Sequence, residues 1–290
     1  MPLQLLGYRE VKRHGWVWWL DRAHWRDEWA AQVEECLREM RNVIRESRHA
    51  RTAVVTLPDD TGGTRGYFKL YHSPDWSSRF KDVFRASRAL RSLRMSVRLA
   101  AEGFGAPQVL AAGEQLRAGF VGRGFLLTAA VPGLVLHEVP PVLARYDPSE
   151  RRHLKRTILQ ALGAEVARFH ARGYLHGDLV HTNLMVRWNA AVHVWFLDHD
   201  RTRLAWPVLR GRRQRRNLVQ LNRLRIDDVS HSDRLRLLRS YGTARGWSPH
   251  RVRREARRIA RKTLAIRPPA PRDHRRAAPT GEPGSAGLAP

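Results

Sequence analysis

"GYLHGDLVHTNLMV", residues 173–186, sets His176, Asp178, His181 and Asn183 between small and apolar neighbours. Upstream lies "DPSERRHLKRTILQALGAEVARFHARG", which reads as a helix. Asp147 is placed to cap it, Pro148 suits its first position, and Glu150 stands where a capping box puts its acid. Leu154, Ile158, Leu162, Val166 and Phe169 recur at helical spacing as the buried face, and Gly173 ends it. Downstream, "AVHVWFL" reads as a short strand running into "DHD" at 198–200. The chain therefore places a dense polar loop between a capped helix and a strand that ends in an acid.

Phosphoryl transfer calls for these parts. It needs a carboxylate beside the attacking hydroxyl, oxygen donors for Mg2+, and a cation on the nucleotide phosphates. The loop supplies His176-x-Asp178-x-x-x-x-Asn183, and the strand delivers Asp198. Lys69 sits inside an earlier strand, "YFKLY", flanked by Phe68 and Leu70. Burying an unpaired lysine there is costly, so an anion is expected to meet it.

This order and spacing resemble the kinase fold. Protein kinases carry an arginine before the catalytic aspartate, where this chain has Gly177; the "HGD" form is similar to small-molecule and sugar kinases. About a dozen residues separate Asp198 from the next expected helix, too few for a long activation segment. "YHSPDWSSRFKDVFRASRALRSLR", "FLDHDRTR" and "RRNLVQLNR" resemble the lipopolysaccharide kinase family, the heptose and Kdo kinases of Gram-negative envelopes, over roughly residues 47–241. The resemblance implies ATP and Mg2+ as cofactors and a sugar hydroxyl as acceptor. It makes Asp178 the catalytic base, Asn183 and Asp198 the metal ligands, and Lys69 the holder of the α and β phosphates. Asp200 would support the site, His176 would brace the loop by hydrogen bonds, and His199 would fill the space phenylalanine takes elsewhere. The chain departs from kinases twice. It has no Gly-x-Gly-x-x-Gly motif, and "ESRHAR" (46–51), with Ser47, is the expected phosphate-covering turn. The helix after the lysine strand, read as 78–101, has Asp82 near its start and no glutamate at its middle to hold Lys69.

The fold expected is α+β: a two-lobed, protein-kinase-like chain with a small sheet-rich N-lobe at 1–130 and a mainly helical C-lobe at 131–265. An N-terminal helical extension precedes the lysine strand, with a helix at 25–46. "RTAVVTL" (51–57), "APQVLAAGE" and "GFLLTAAV" read as strands, and glycines 62, 63 and 66 as a hairpin turn. Helices are expected at 212–224, 232–241 and 249–264. Residues 266–290, rich in Pro, Gly and Ala, read as a disordered tail.

Of 290 residues, 53 are Lys or Arg and 27 are Asp or Glu, giving +26 at neutral pH. Such a surface attracts polyanions. The expected partners are a glycolipid or sugar acceptor and an anionic membrane surface. Nucleic acid binding is disfavoured, because no aromatic platform or known module is present. Arg212, Arg213, Arg215 and Arg216 are the candidates for recruiting an anionic acceptor. Cys36 stands alone, which excludes an intrachain disulfide and fits a reducing compartment. No signal peptide is read at the start, and "WVWWL" (16–20) is too short to span a bilayer and is expected to pack on the core. The localisation expected is cytoplasmic, on the inner face of the membrane. Rival readings are a kinase of another small molecule and a pseudokinase serving the envelope stress response. An aminoglycoside acceptor would want an acidic cleft, and the intact Asp178, Asn183 and Asp198 oppose the pseudokinase.

Overall fold

A computed structural model describes residues 3–60, 62–72, 86–117, 120–206, 208, 210–223 and 229–266. After a single 3-10 turn at Leu3–Leu6, the described chain forms a hairpin, β1 (Tyr8–Arg13) and β2 (Trp16–Asp21). His14 and Gly15, both at positive φ, form its two-residue turn. "WVWWLD" alternates along β2, so Trp16, Trp18 and Leu20 are buried. The expected core packing holds, while the expected helical extension does not: aromatic and β-branched residues at period two suit a strand.

Helix α1 (Trp29–Arg38) is shorter than the 25–46 expected. Glu39 is already extended and Asn42 has φ 51°, so the chain turns and begins β3 (Val43–Ser47). Trp29, Val33 and Cys36 are the buried stripe, whereas Ile44, which continues their helical spacing, lies 53% exposed on an edge strand. Periodicity had run on by chance; pairing with β4 (Ala50–Leu57) decided against it. β5 (Thr64–His72) carries Lys69. Helix α2 (Arg88–Ala101) is capped by Ser87, whose hydroxyl accepts from Leu90 N at 3.1 Å. Within the helix expected from 78, Ala86 and Ser87 are not helical, and residues 78–85, Asp82 with them, lie outside the described residues. β6 (Val109–Arg117) and β7 (Phe120–Ala129) complete a seven-stranded antiparallel sheet in the order β1-β2-β6-β7-β5-β4-β3. One face of the sheet holds Trp16, Trp18, Phe68 and Phe125 under α1. The other holds Tyr71, Ala112 and Leu126 against Leu90 and Leu93 of α2.

The second half contains β8 (Leu134–Val135), α3 (Val139–Leu143), α4 (Pro148–Ala171) and β9 (Tyr174–Leu175). It continues with β10 (Leu184–Trp188), β11 (Val192–Phe196) and β12 (Arg203–Leu204), then α5 (Arg210–Leu221), α6 (His231–Ala244) and α7 (Pro249–Leu264). Asp147 caps α4 as expected, accepting from Ser149 N at 2.8 Å and Glu150 N at 3.2 Å. Gly173, at φ 87°, lets the chain leave the helix. The expected loop is more regular than a loop: it holds β9, a 3-10 turn at His181–Asn183 and the first residue pairs of β10.

The two halves share a core. Leu99 of α2 and Phe104, just beyond it, pack with Leu162, Phe169, Tyr174 and Phe196. Phe104 meets Phe169, Tyr174 and Phe196 edge to face. Phe196 N donates to Gly105 O at 2.9 Å, and Arg168 lies 3.7 Å over the Phe104 ring.

Candidate active site

The β10–β11 hairpin pairs Leu184 with Phe196, so the residues just outside it, Asn183 and Leu197, stand side by side. Leu197 N donates to Asn183 O at 2.9 Å. Asp198 then leaves the strand with φ 61° and ψ 69°, a left-handed kink that aspartate tolerates better than most residues. The kink brings its carboxylate to Lys69: Nζ to Oδ1 is 2.6 Å. Lys69 lies mid-strand, opposite Thr52 of β4 and Leu126 of β7. Burial works against both charges, but the pair prevails. The Lys69 ammonium is raised above its ordinary value with Tyr71 and Asp198 beside it. The Asp198 carboxyl is held below its ordinary value by Lys69, with Arg45 contributing.

Asn183 is buried, and its Nδ2 donates to Asp178 O at 2.9 Å and to Asp178 Oδ2 at 3.4 Å. Its Oδ1 accepts from Arg45 Nη1 at 3.4 Å, an arginine reaching across from β3. Asp178 itself is half-buried. His176 is fully buried and donates from Nε2 to Leu197 O at 2.7 Å. Burial keeps it below the ordinary histidine value despite the charges of Asp198, Asp178 and Asp200 around it. His199 is buried against the His176 ring and meets Thr202 Oγ1 at 3.2 Å; burial, and then His176, push it down to about 3. The Asp200 carboxyl is raised by burial and by the neighbouring Asp198. Gly177 has φ 73°, and a Cβ there would stand 2.7 Å from Arg201 O, which excludes a side chain at the position before Asp178.

The β3–β4 turn falls on "ESRHAR". The Ser47 hydroxyl serves the turn itself, accepting from Ala50 N and donating to Ala50 O, both at 3.1 Å. Helix α2 brings an arginine, not a glutamate, to the cleft: Arg91 Nε donates to Asp200 O at 3.2 Å. Lys69 is thus placed by Asp198.

Sequence reasoning missed a second layer. By composition "RGRRQRRNLVQLNRLR" (210–225) reads as a solvated helix face, yet Gln214, Asn217 and Gln220 of α5 are buried. Asn217 Oδ1 accepts from His176 N, Gln220 Oε1 accepts from Leu179 N, and Gln220 Nε2 donates to Gly177 O, each at 3.2 Å. Asn217 Nδ2 donates to Gln220 Oε1 at 2.9 Å and ties the two amides together. The backbone on both sides of Asp178 is therefore held by one helix. Amide residues at i and i+3 inside an arginine run were the available signal. Arg215 also departs from expectation: it pairs with buried Glu255 of α7 at 2.6 Å and fastens one helix to another. Arg212 and Arg216 are exposed and Arg213 is half-buried.

Lys69 on its strand, the Asp178–Asn183 loop and Asp198 meet between a sheet-rich half and a helical half, the arrangement of a two-lobed kinase-like fold. The chain matches the lipopolysaccharide kinase (Kdo/WaaP) family over residues 34–241 and belongs to that family. Membership makes it an ATP-dependent sugar kinase acting on lipopolysaccharide core. The fold is similar to that of WaaP in complex with acyl carrier protein: TM-score 0.56 and 20% identity, covering 81% of this chain and 92% of that one. A Stt7 homolog from Micromonas algae soaked with ATP matches with TM-score 0.41 and 12% identity, over 57% of this chain and 50% of that one. No curated protein matches the sequence.

Proposed function

We propose that Asp178 is the base that orients the acceptor hydroxyl and takes its proton as the oxygen bonds to the γ-phosphorus of ATP. The bond from that phosphorus to the bridging oxygen breaks, and ADP leaves. Lys69 grips the α and β phosphates while Asp198 holds its ammonium in place. The β3–β4 turn, shaped by Ser47, covers the phosphates from above, and Arg45 reaches in beside it. His176 and Asp200 support the loop. The amide oxygen of Asn183 and the carboxylate of Asp198 are hard donors that fit Mg2+, and the raised carboxyl of Asp200 beside Asp198 marks a place where a cation is welcome. Bound magnesium would supply charge neutralisation on the phosphates.

The acceptor is a hydroxyl of a lipopolysaccharide-core sugar or a related envelope glycan, met at an anionic membrane surface from the cytoplasmic side. Among the described residues no helix is long and apolar enough to cross a membrane, which agrees with peripheral attachment. The observation that carries the reading is the 2.6 Å contact between Lys69 and Asp198, made beside the loop that holds Asp178 and Asn183. The test is transfer from γ-labelled ATP to dephosphorylated core oligosaccharide, read by mass, with and without acyl carrier protein, the partner seen with WaaP. Gain of one phosphate is the expected result. ATP turnover to free phosphate with no modified sugar from any core type would sink it.

A further inference from the structure

Between Asp200 and Asp227 the chain has no acidic residue and nine arginines. Within that run stand two of the most exposed large apolar side chains among the described residues, Trp206 at 78% and Val208 at 94%, with Leu204 at 41%. Trp206 makes no ring contact and no hydrogen bond among the described residues. Folding normally buries a tryptophan or satisfies its N–H, so one standing free beside arginines asks for an outside partner. The base of this segment is firm. β12 pairs with β9, Ala205 N donates to Gly173 O at 2.8 Å, and Arg210 Nε donates to Ala205 O at 3.1 Å. β9 runs directly into the loop that carries Asp178. The apolar tip is therefore anchored a few residues from the chemistry.

We propose that Leu204, Trp206 and Val208 dock this kinase on an anionic lipid bilayer, Trp206 and Val208 entering the interface while Arg212, Arg213 and Arg216 face headgroup phosphates. Tryptophan favours the headgroup level, where its ring is apolar and its N–H is wet. An apolar tip with flanking cations and no acid is the composition of interfacial anchors. A small isolated tip offers too little contact for a stable protein partner, which needs roughly 800 Å² from each side. The acceptor side rests on the proposed function: docking here would present the sugar of a membrane-held glycolipid to Asp178.

The test is co-sedimentation with phosphatidylcholine vesicles, with and without phosphatidylglycerol, using the full chain. Wild-type protein should bind the anionic vesicles and release them as salt rises. The Trp206→Ala/Val208→Ser variant should lose at least about tenfold of that binding, with an unchanged melting temperature and unchanged turnover on lipid-free core oligosaccharide. Equal binding of variant and wild type overturns the proposal, as does a wild type that leaves anionic vesicles alone. So does a concentration-dependent dimer that the variant abolishes, since the tip would then meet a second copy. Loss of vesicle binding in the variant, with no turnover on the oligosaccharide in either protein, supports the docking surface and rejects the proposed acceptor alone.

Discussion

Asp178 keeps its carboxylate partly open to the cleft while its backbone is gripped on both sides. Asp178→Asn should cut kcat on the order of 10²–10⁴-fold, the usual loss for an acid–base group, and leave ATP affinity within a few-fold. Steady-state kinetics with a separate nucleotide titration checks this, and near-normal turnover would remove Asp178 from the base role. Asp198 is different, because it holds Lys69 and, in the proposed function, a metal as well. Asp198→Ala should abolish magnesium-dependent nucleotide binding by calorimetry; a wild type that binds ATP equally with and without magnesium would contradict the assignment. These residues were legible in the sequence because a fixed spacing in a loop needs no long-range partner to be recognised. Arg45 and Arg91 were not, since each reaches the site from an element tens of residues away.

At the scale of elements, the surprise is α5. Its arginines dominate the sequence, but Gln214, Asn217 and Gln220 are buried, and Asn217 and Gln220 serve the loop. Gln220→Ala should lower kcat on the order of 10- to 100-fold, because loss of the Gly177 and Leu179 contacts lets Asp178 drift by a fraction of an ångström or more. ATP affinity should stay within about twofold, given that Lys69 and Asp198 are untouched. A Gln220→Ala enzyme with wild-type kcat would show that the clamp is only structural. The N-terminal elements show the opposite failure. Helical spacing from Trp29 to Ile44 reads as one helix, yet sheet pairing ended it at Arg38. Local periodicity cannot register a strand whose partner lies further along the chain.

Across the whole molecule, three buried histidines tie stability to pH. His170 is pushed down to about 4 by burial, His199 to about 3, and His176 is lowered as well. In the unfolded chain each titrates near 6.5. Between about 6.5 and about 4 the unfolded state therefore binds more protons, and stability falls as pH falls. Glu114 and Asp200, both raised by burial, oppose this trend. The His170 contribution is isolated by comparison: His170→Gln should show a shallower loss of melting temperature from pH 7 to pH 4.5 than wild type. Identical slopes in a scanning fluorimetry series would contradict it. His170 Nδ1 meets Tyr241 Oη at 3.0 Å and Nε2 meets Asn217 Oδ1 at 3.2 Å, so the same residue links α4, α5 and α6.

The sequence by itself determined the kinase resemblance and most of the order of elements. Lys69, Asp178, Asn183 and Asp198 carry it through residue type and spacing, and caps such as Asp147 and stops such as Gly173 act within a few residues. Tertiary structure alone decided the rest. It made Asp198 the partner of Lys69 where no helix glutamate is present, turned Arg215 away from the surface to Glu255, and set Gln220 under the catalytic loop. It also ended the helix expected at 25–46 at Arg38 and set a hairpin ahead of it. Each of those outcomes depends on a partner 40 or more residues away along the chain, or on a sheet edge that exists only once the fold has closed. Pairing energies between distant groups leave no mark on local periodicity, so composition and spacing could not show them.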